Sequence, residues 1–172
     1  MSESLAKISR INGLGMIAIR ADLARSGAAL AATVGPALPG PTRFTASGDR
    51  MIGWMSPDEL LVILPADDVA AQVAALQDAL GGDHGLIVDV SDMRAVFDIT
   101  GAGADDVLAK LSPTDLTRLP ADGLRRSRAA QVPVAFWRQG NGFRLVGFRS
   151  VADYLQTVLG NAAAPGSGLA PR

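Results

Sequence analysis

Several residue types are missing or rare in this sequence, and each absence excludes a class of function. There is no cysteine, which rules out disulfide bonds, thiol nucleophiles and thiolate metal sites. The only histidine is His84, so a Ser-His-Asp triad has one candidate base, with no activated serine beside it. Aromatic residues make up 5% of the chain, too few to interleave with basic residues in a nucleic-acid site. We therefore expect His84 to be a surface residue and no nucleic acid to bind.

Long apolar runs are also missing. No stretch approaches the roughly 20 residues that a membrane-spanning helix needs, and no apolar segment follows a basic start, as it would in a signal peptide. The net charge of -1 gives no electrostatic reason to expect a polyanion or an anionic membrane as a partner. We expect a cytoplasmic protein without a membrane partner.

What is present is a high apolar content, with 48% hydrophobic residues and a mean hydropathy of +0.23. Much of it is alanine, so it indicates either a surface that a partner covers or a bias in composition. A chain of 172 residues is long enough for one substantial core. We predict a single domain over residues 1–160, followed by a disordered tail over 161–172.

Residues 86–115 give the clearest local pattern. Leu86 to Val88 is a short apolar run that predicts a buried strand, and the acids from Asp89 to Asp92 predict a turn after it. Alternation from Ala95 to Thr100 predicts a second strand. Apolar residues at helical spacing then run from Ala104 to Leu111, and Pro113 ends the helix. The stretch therefore predicts strand, turn, strand, helix.

The rest of the chain alternates hairpins with helices. Ser56-Pro57-Asp58-Glu59 predicts a tight turn, Gly140 lies in a second hairpin connector, and the segment 117–130 has no firm periodicity and is expected to be a loop. Strands are predicted at 14–19, 43–55, 60–64, 132–137 and 143–148, and helices at 23–34, 69–80 and 151–159. Helices among hairpins predict an α+β, two-layer fold with mixed or mainly antiparallel sheets and helices packed on them.

Two features look like sites, but each has a structural explanation. Gly101-Ala102-Gly103 precedes a helix as a dinucleotide fingerprint does, but Asp105 and Asp106 would repel a pyrophosphate there. Asp89, Asp92 and Asp98 could form an acid/base or hard-metal cluster, yet such acids usually cap turns or face solvent. We therefore assign no catalytic, cofactor-binding or metal-binding residue from these patterns.

Charge is divided unevenly along the chain. Residues 118–172 hold eight basic and two acidic residues. This excess of arginine indicates either contact with an anionic partner or pairing with acids of the same domain, and we keep both explanations. As residues of a partner interface we predict Arg149, at the start of the last helix, and Arg126 and Arg128, in the segment expected to be a loop. The arginines of this part are Arg118, Arg125, Arg126, Arg128, Arg138, Arg144, Arg149 and Arg172.

Five segments resemble one known family. The region around residues 86–115 is similar to the glycine-cleavage T-protein (aminomethyltransferase) and its folate-binding relatives. The similar positions are Asp89-Val90-Ser91-Asp92-Met93, Gly101 with Ala104, and Thr114-Asp115-Leu116. The full pattern more closely resembles the gamma-subunit family of heterotetrameric sarcosine oxidase. The similar segments are WMSPDELLVILP, DVSDMRAVFDITG, LAKLSPTDL, QVPVAFWR and FRSVADYL, in that order.

The resemblance implies the fold of the aminomethyltransferase folate-binding domain without its active site. T-proteins carry an acid tied to folate chemistry just before the strand that resembles 132–137. In this sequence that place is taken by Ala130 and Gln131, neither of which is a carboxylate. No catalytic residue is therefore expected in this chain.

The resemblance also implies an assembly. The family belongs to a four-subunit flavoenzyme with alpha, beta and delta subunits, which oxidises sarcosine to glycine, reduces oxygen to hydrogen peroxide and passes the methyl carbon to tetrahydrofolate. FAD, FMN, NAD and tetrahydrofolate are expected in the other subunits, and none on this chain. The alternatives are a stand-alone folate-binding or one-carbon accessory domain, a tRNA-modification accessory protein of the same fold, and a subunit of a dimethylglycine-type oxidase.

Overall fold

Ten strands and four α-helices make up the described part of the chain, residues 3–169 of the computed structural model. They group into two units with separate cores. The central unit is Gly13–Asp92, and the terminal unit combines the residues up to Asn12 with those from Met93 onward. Both have an antiparallel sheet with two helices on it, which confirms the predicted α+β class with mainly antiparallel sheets.

The central unit is built on a five-stranded sheet with the order β3-β4-β5-β2-β6. Its strands are β2 (Leu14–Ala21), β3 (Phe44–Ser47), β4 (Arg50–Ser56), β5 (Glu59–Pro65) and β6 (Gly85–Asp89). Helices α1 (Gly27–Val34) and α2 (Val69–Leu80) pack on one face, where alternate strand residues such as Ile17, Ile19 and Val62 form the core. The predicted turn at Pro57-Asp58 joins β4 to β5.

The terminal unit has a five-stranded sheet with the order β1-β7-β10-β9-β8. Its strands are β1 (Lys7–Ile11), β7 (Arg94–Thr100), β8 (Leu124–Ala129), β9 (Val132–Gln139) and β10 (Gly142–Phe148). Helices α3 (Ala104–Leu111) and α4 (Ala152–Ala162) cover one face. Phe97, Phe136, Phe143 and Leu145 are fully buried beneath them, and Phe136 meets Phe143 edge to face at 6.2 Å.

The two sheets have the same strand connectivity, with one strand exchanged. The chain runs β-β-α-β-β-β-α twice, first as β1 to α2 and then as β6 to α4. In each half the first strand pairs outside its own half: β1 pairs with β7, and β6 pairs with β2. Each sheet is therefore completed by the first strand of the other half.

Four expectations about strands are wrong. The segment 43–55 holds two antiparallel strands, β3 and β4, joined by a turn at Gly48-Asp49, where one strand was expected. The segment 117–130, which was expected to be a loop, contains β8. Its successive residues lie on opposite faces of the sheet, although most of them are polar. No strand was expected at Lys7–Ile11, where β1 lies. The run Leu86 to Val88 is a strand but not a buried one, since β6 is the last strand of its sheet and only Ile87 faces the helices.

The predicted tail at 161–172 begins inside α4, which continues to Ala162. Ala162 and Ala163 lie in the core of the terminal unit, and the amide of Leu5 donates to the carbonyl of Ala163 at 3.0 Å. These contacts explain why the helix extends past the expected boundary, while residues 170–172 lie outside the described part. A single domain over 1–160 stays a prediction.

Candidate docking surface

Arg126, Arg128 and Arg149, the predicted interface residues, are all exposed and all belong to the terminal unit. Arg126 and Arg128 were expected in a loop, but they lie on the edge strand β8. Arg149 starts a short 3-10 turn between β10 and α4. Since residues two apart on a strand share a face, Arg126 and Arg128 point to the same side.

The register of the sheet brings Arg149 into the same neighbourhood. Arg128 pairs with Pro133 on β9, and Phe148, which immediately precedes Arg149, pairs with Arg94 on β7. Because Val134 pairs with Gly147, the next position along β10, Phe148, is level with Pro133. One row across the sheet therefore contains Arg128, Pro133, Phe148 and Arg94, on the face away from the helices.

Phe148 is the centre of this surface. Its side chain is 39% exposed, which is unusual for a phenylalanine, and the guanidinium of Arg94 stacks on its ring at 4.5 Å from the centroid. Aromatic and arginine side chains are the types most enriched at the energetic centres of protein interfaces. We call the set Arg94, Arg126, Arg128, Pro133, Phe148 and Arg149 the arginine–phenylalanine patch.

Two other arginines of the basic segment, residues 118–172, form ion pairs with acids of the same chain. Arg144 holds Asp98 on the neighbouring strand through two hydrogen bonds of 2.7 and 2.8 Å. Arg138 holds Asp105 at the start of α3 through bonds of 3.0 and 3.1 Å, and this hydrogen bond raises the pKa of Arg138. Pairing within the chain therefore accounts for Arg138 and Arg144.

Two of the three acids considered as a cluster, Asp89 and Asp98, have separate structural roles. The Asp89 carboxylate accepts hydrogen bonds from the Ser91 amide at 2.9 Å and from its hydroxyl at 2.6 Å, which fixes the turn after β6. The Ser91 hydroxyl in turn accepts from the amide of Met16 at 2.9 Å. The Asp98 carboxylate accepts two hydrogen bonds from the guanidinium of Arg144. Within residues 3–169, no three acid or histidine side chains converge as metal ligands would.

The glycine turn before α3 is filled by the chain's own backbone. The amide of Gly103 donates to the carbonyl of Leu5 at 3.0 Å, and a Cβ on Gly103 would lie 2.6 Å from that carbonyl oxygen. The glycine is therefore required by the close approach of residue 5, and the turn does not fit a pyrophosphate.

Ala130 and Gln131, the positions compared with the T-protein acid, form the two-residue turn between β8 and β9. The amide of Ala130 donates to the carbonyl of Leu111 at 2.8 Å, which ties the turn to the end of α3. Neither residue can serve as an acid or base. None of the helices within residues 3–169 has the length and apolar content needed to span a membrane.

Comparison with known proteins identifies the family of the chain. The model of the family described as "Sarcosine oxidase, gamma subunit family" matches residues 19–165. The chain belongs to this family. It is 39% identical over 120 residues to the sarcosine oxidase subunit gamma of Arthrobacter sp., which covers 66% of the chain. It is 34% identical over 142 residues to that of Corynebacterium sp. strain U-96, which covers 80% of the chain.

These gamma subunits are longer than the matched region, which spans 57% of the Arthrobacter protein and 67% of the Corynebacterium protein. Among solved structures, the chain matches the heterotetrameric sarcosine oxidase from Corynebacterium sp. U-96 with a TM-score of 0.86 and 26% identity, covering 97% of this chain and 88% of that one. Aminomethyltransferase T from Bartonella henselae matches with a TM-score of 0.68 and 16% identity, over 92% of this chain and 46% of that one. The second match shows a shared fold.

Arg94, Pro133 and Phe148 are the patch residues that were missed from the sequence. Phe148 follows the alternation of β10, but the face of a strand that stays exposed depends on which elements pack on the sheet, and that is a tertiary property. The signal that was present is the spacing of Arg126 and Arg128, which differ by two residues as side chains on one face of a strand do.

Proposed function

We propose that this chain is the small, non-catalytic subunit of a heterotetrameric sarcosine oxidase, in which it has a structural role. The observation that supports the proposal most strongly is the match in fold over 97% of the chain to a heterotetrameric sarcosine oxidase, at a TM-score of 0.86. The turn at Gly103, which the backbone of Leu5 fills, fits a structural role.

The complex would oxidise sarcosine to glycine with oxygen as electron acceptor, giving hydrogen peroxide. The methyl carbon would leave as 5,10-methylenetetrahydrofolate or as formaldehyde. FAD, FMN, NAD and tetrahydrofolate would be held by the alpha, beta and delta subunits. This chain would contribute a docking surface and no reacting group.

The arginine–phenylalanine patch is the surface proposed to contact a larger subunit. Phe148 supplies apolar area that becomes buried, and the exposed guanidinium of Arg128 can hold a partner carboxylate through two hydrogen bonds. Truncating a desolvated residue of this kind costs about 2 kcal/mol or more of binding free energy. The arginines also speed association by attracting an acidic surface.

The test is co-expression with the alpha, beta and delta subunits, followed by size exclusion and measurement of the dissociation constant. We expect Phe148→Ala and the double change Arg126→Ala/Arg128→Ala to weaken assembly at least tenfold, and Arg149→Ala to weaken it less. Arg118→Ala is the matched control, because Arg118 is equally exposed but outside the patch. Failure of the unmodified chain to join the complex would refute the subunit role, whereas assembly unaffected by the patch variants would refute only the choice of surface.

A second expectation concerns cofactors. The filled turn at Gly103 and the absence of a carboxylate at 130 and 131 lead us to expect no saturable binding of FAD or tetrahydrofolate by the isolated chain at micromolar concentrations. Calorimetric titration with each compound measures this directly. Binding at micromolar or tighter affinity would show that the chain contributes to a cofactor site.

A further inference from the structure

The two sheets have four edge strands, and three of them have features that discourage pairing with another chain. β1 carries Lys7 and Arg10, β8 carries three arginines, and β3 is only four residues long. Charged side chains and short length are two ways in which natural sheets protect their edges. The fourth edge strand, β6, has neither a proline nor a charge before its last residue, Asp89.

β6 is also open to solvent. Four of its five residues are exposed, and Ile87, which is 7% exposed, is the one that faces the helices. Leu86 is 53% exposed and Val88 is 37% exposed. Since they are two residues apart, they lie on the same face and form an apolar strip beside the open edge. An exposed apolar edge strand is a template for a further strand.

A cavity of about 660 Å³ adjoins Leu86, and its lining includes Arg20, Asp22, Asp58 and His84. Arg20 is already engaged by Glu59 at 2.9 Å and by Asp58 at 3.4 Å. Asp22 accepts the amides of Ala24 and Arg25 at 3.1 and 3.3 Å and is otherwise exposed. With two carboxylates and one guanidinium in its wall, the cavity favours a cationic side chain.

We propose that β6 accepts an extended segment of a larger subunit as the sixth strand of the central sheet. This segment places two apolar side chains, two residues apart, over Leu86 and Val88 and inserts an arginine or lysine into the cavity between Asp22 and Asp58. The backbone bonds supply affinity, while the apolar pair and the cation supply specificity. The inference rests on the proposed subunit role and names a second contact beside the arginine–phenylalanine patch.

Charge argues against a second copy of this chain as the occupant. In an antiparallel pair of β6 strands centred on Ile87, Leu86 would face Val88, and Asp89 would face Gly85. β6 carries no basic side chain, and its one charged residue, Asp89, lies on the face of Ile87, opposite to Leu86. A second copy would therefore bring no cation to the cavity beside Leu86. A partner segment with a basic side chain would be attracted to the carboxylates of Asp22 and Asp58.

Hydrogen exchange of the assembled complex against the free chain tests the strand pairing. In the complex we expect exchange in residues 85–89 to slow at least tenfold, because amides on the open edge gain carbonyl partners. Unchanged exchange in this segment, in a complex that does assemble, would overturn the sixth strand and leave the subunit role intact. If the unmodified chain does not assemble with the larger subunits, the subunit role fails and the sixth strand fails with it.

Side-chain changes test the specificity. Leu86→Lys and Val88→Lys put a charge on the edge at exposed positions and are expected to weaken assembly at least tenfold without lowering the melting temperature of the free chain. Tyr154→Lys is the matched control, because Tyr154 is 38% exposed but lies on α4. Assembly unaffected by both edge variants would contradict the proposal, as would sedimentation of the free chain as a dimer that Val88→Lys dissociates.

Discussion

At the scale of single residues, Ala130 holds a backbone conformation that side chains rarely adopt. Its φ is 51°, in the left-handed region, at the first position of the two-residue turn between β8 and β9. A left-handed residue other than glycine costs about 1 kcal/mol or more. The turn is held there by the hydrogen bond from the Ala130 amide to the carbonyl of Leu111.

We predict that Ala130→Gly stabilises the protein by about 0.5 kcal/mol, since the strain removed exceeds the added entropy of the unfolded chain. Urea denaturation measures the change. The matched control is Ala129→Gly, one residue earlier, where the backbone is an ordinary strand and the side chain is buried. That change should be destabilising. Equal destabilisation by both would show that the left-handed conformation carries no strain.

The pair of Arg144 and Asp98 fixes two adjacent strands at the residue scale. Both side chains are mostly buried, at 20% and 17% exposed, so each charge depends on the other. We predict that Arg144→Leu costs about 3 kcal/mol, because it leaves the Asp98 carboxylate without its main partner. Replacing both residues with leucine should recover most of that loss. Chemical denaturation of the two single variants and the double variant gives the coupling free energy between Arg144 and Asp98. Additive losses of stability would contradict the prediction.

At the scale of elements, the end of α4 is held by a side chain from another helix. The ammonium of Lys110 on α3 donates to the carbonyl of Ala162 at 2.6 Å and to the hydroxyl of Ser167 at 2.9 Å. The last turn of α4 has no basic residue of its own. Lys110 therefore replaces the local cap and complements the negative end of the helix dipole.

We predict that Lys110→Met lowers stability by about 1 kcal/mol and speeds hydrogen exchange near the end of α4. The only other lysine, Lys7, is exposed on β1 and provides the matched control as Lys7→Met. A change in exchange confined to residues 159–164 would support the capping role. Identical behaviour of the two variants would argue against it.

The elements that could be predicted from sequence are those whose signal is local. Pro57 with Asp58 marks the first hairpin, alternation marks β7, and Pro113 follows the end of α3. β8 was missed because its exposed positions are arginines, so that its alternation is not one of hydrophobicity. The exposure of Leu86 could not be predicted either, since the position of a strand within its sheet depends on partners far away in the chain.

At the scale of the whole molecule, the exchange of first strands determines which pieces of the chain contain a complete sheet. The fragment 13–92 includes β2 to β6 and therefore all five strands of the central sheet. The fragment 3–82 has the same length, but it lacks β6 and keeps β1 without its partner β7. Of the arginine–phenylalanine patch, the sequence indicated only Arg126, Arg128 and Arg149, because the sheet register that brings the other patch residues beside them is not local.

We predict that fragment 13–92 unfolds cooperatively in urea, whereas fragment 3–82 does not. The reason is that the first contains every strand on which its core is built, and the second leaves both β1 and one edge of β2 unpaired. Circular dichroism during the titration distinguishes the two. Cooperative unfolding of 3–82 with equal stability would mean that β6 adds nothing to the central sheet.

The exchange also means that β1 stays without its partner strand for some time during synthesis. β1 leaves the ribosome more than 80 residues before β7, its only strand partner in the sheet. At about 5 to 20 residues per second, this corresponds to roughly 4 to 17 seconds in which β1 has nothing to pair with. The central sheet can be completed first, when β6 emerges, so β1 finds its partner only after all strands of the central unit have been synthesised.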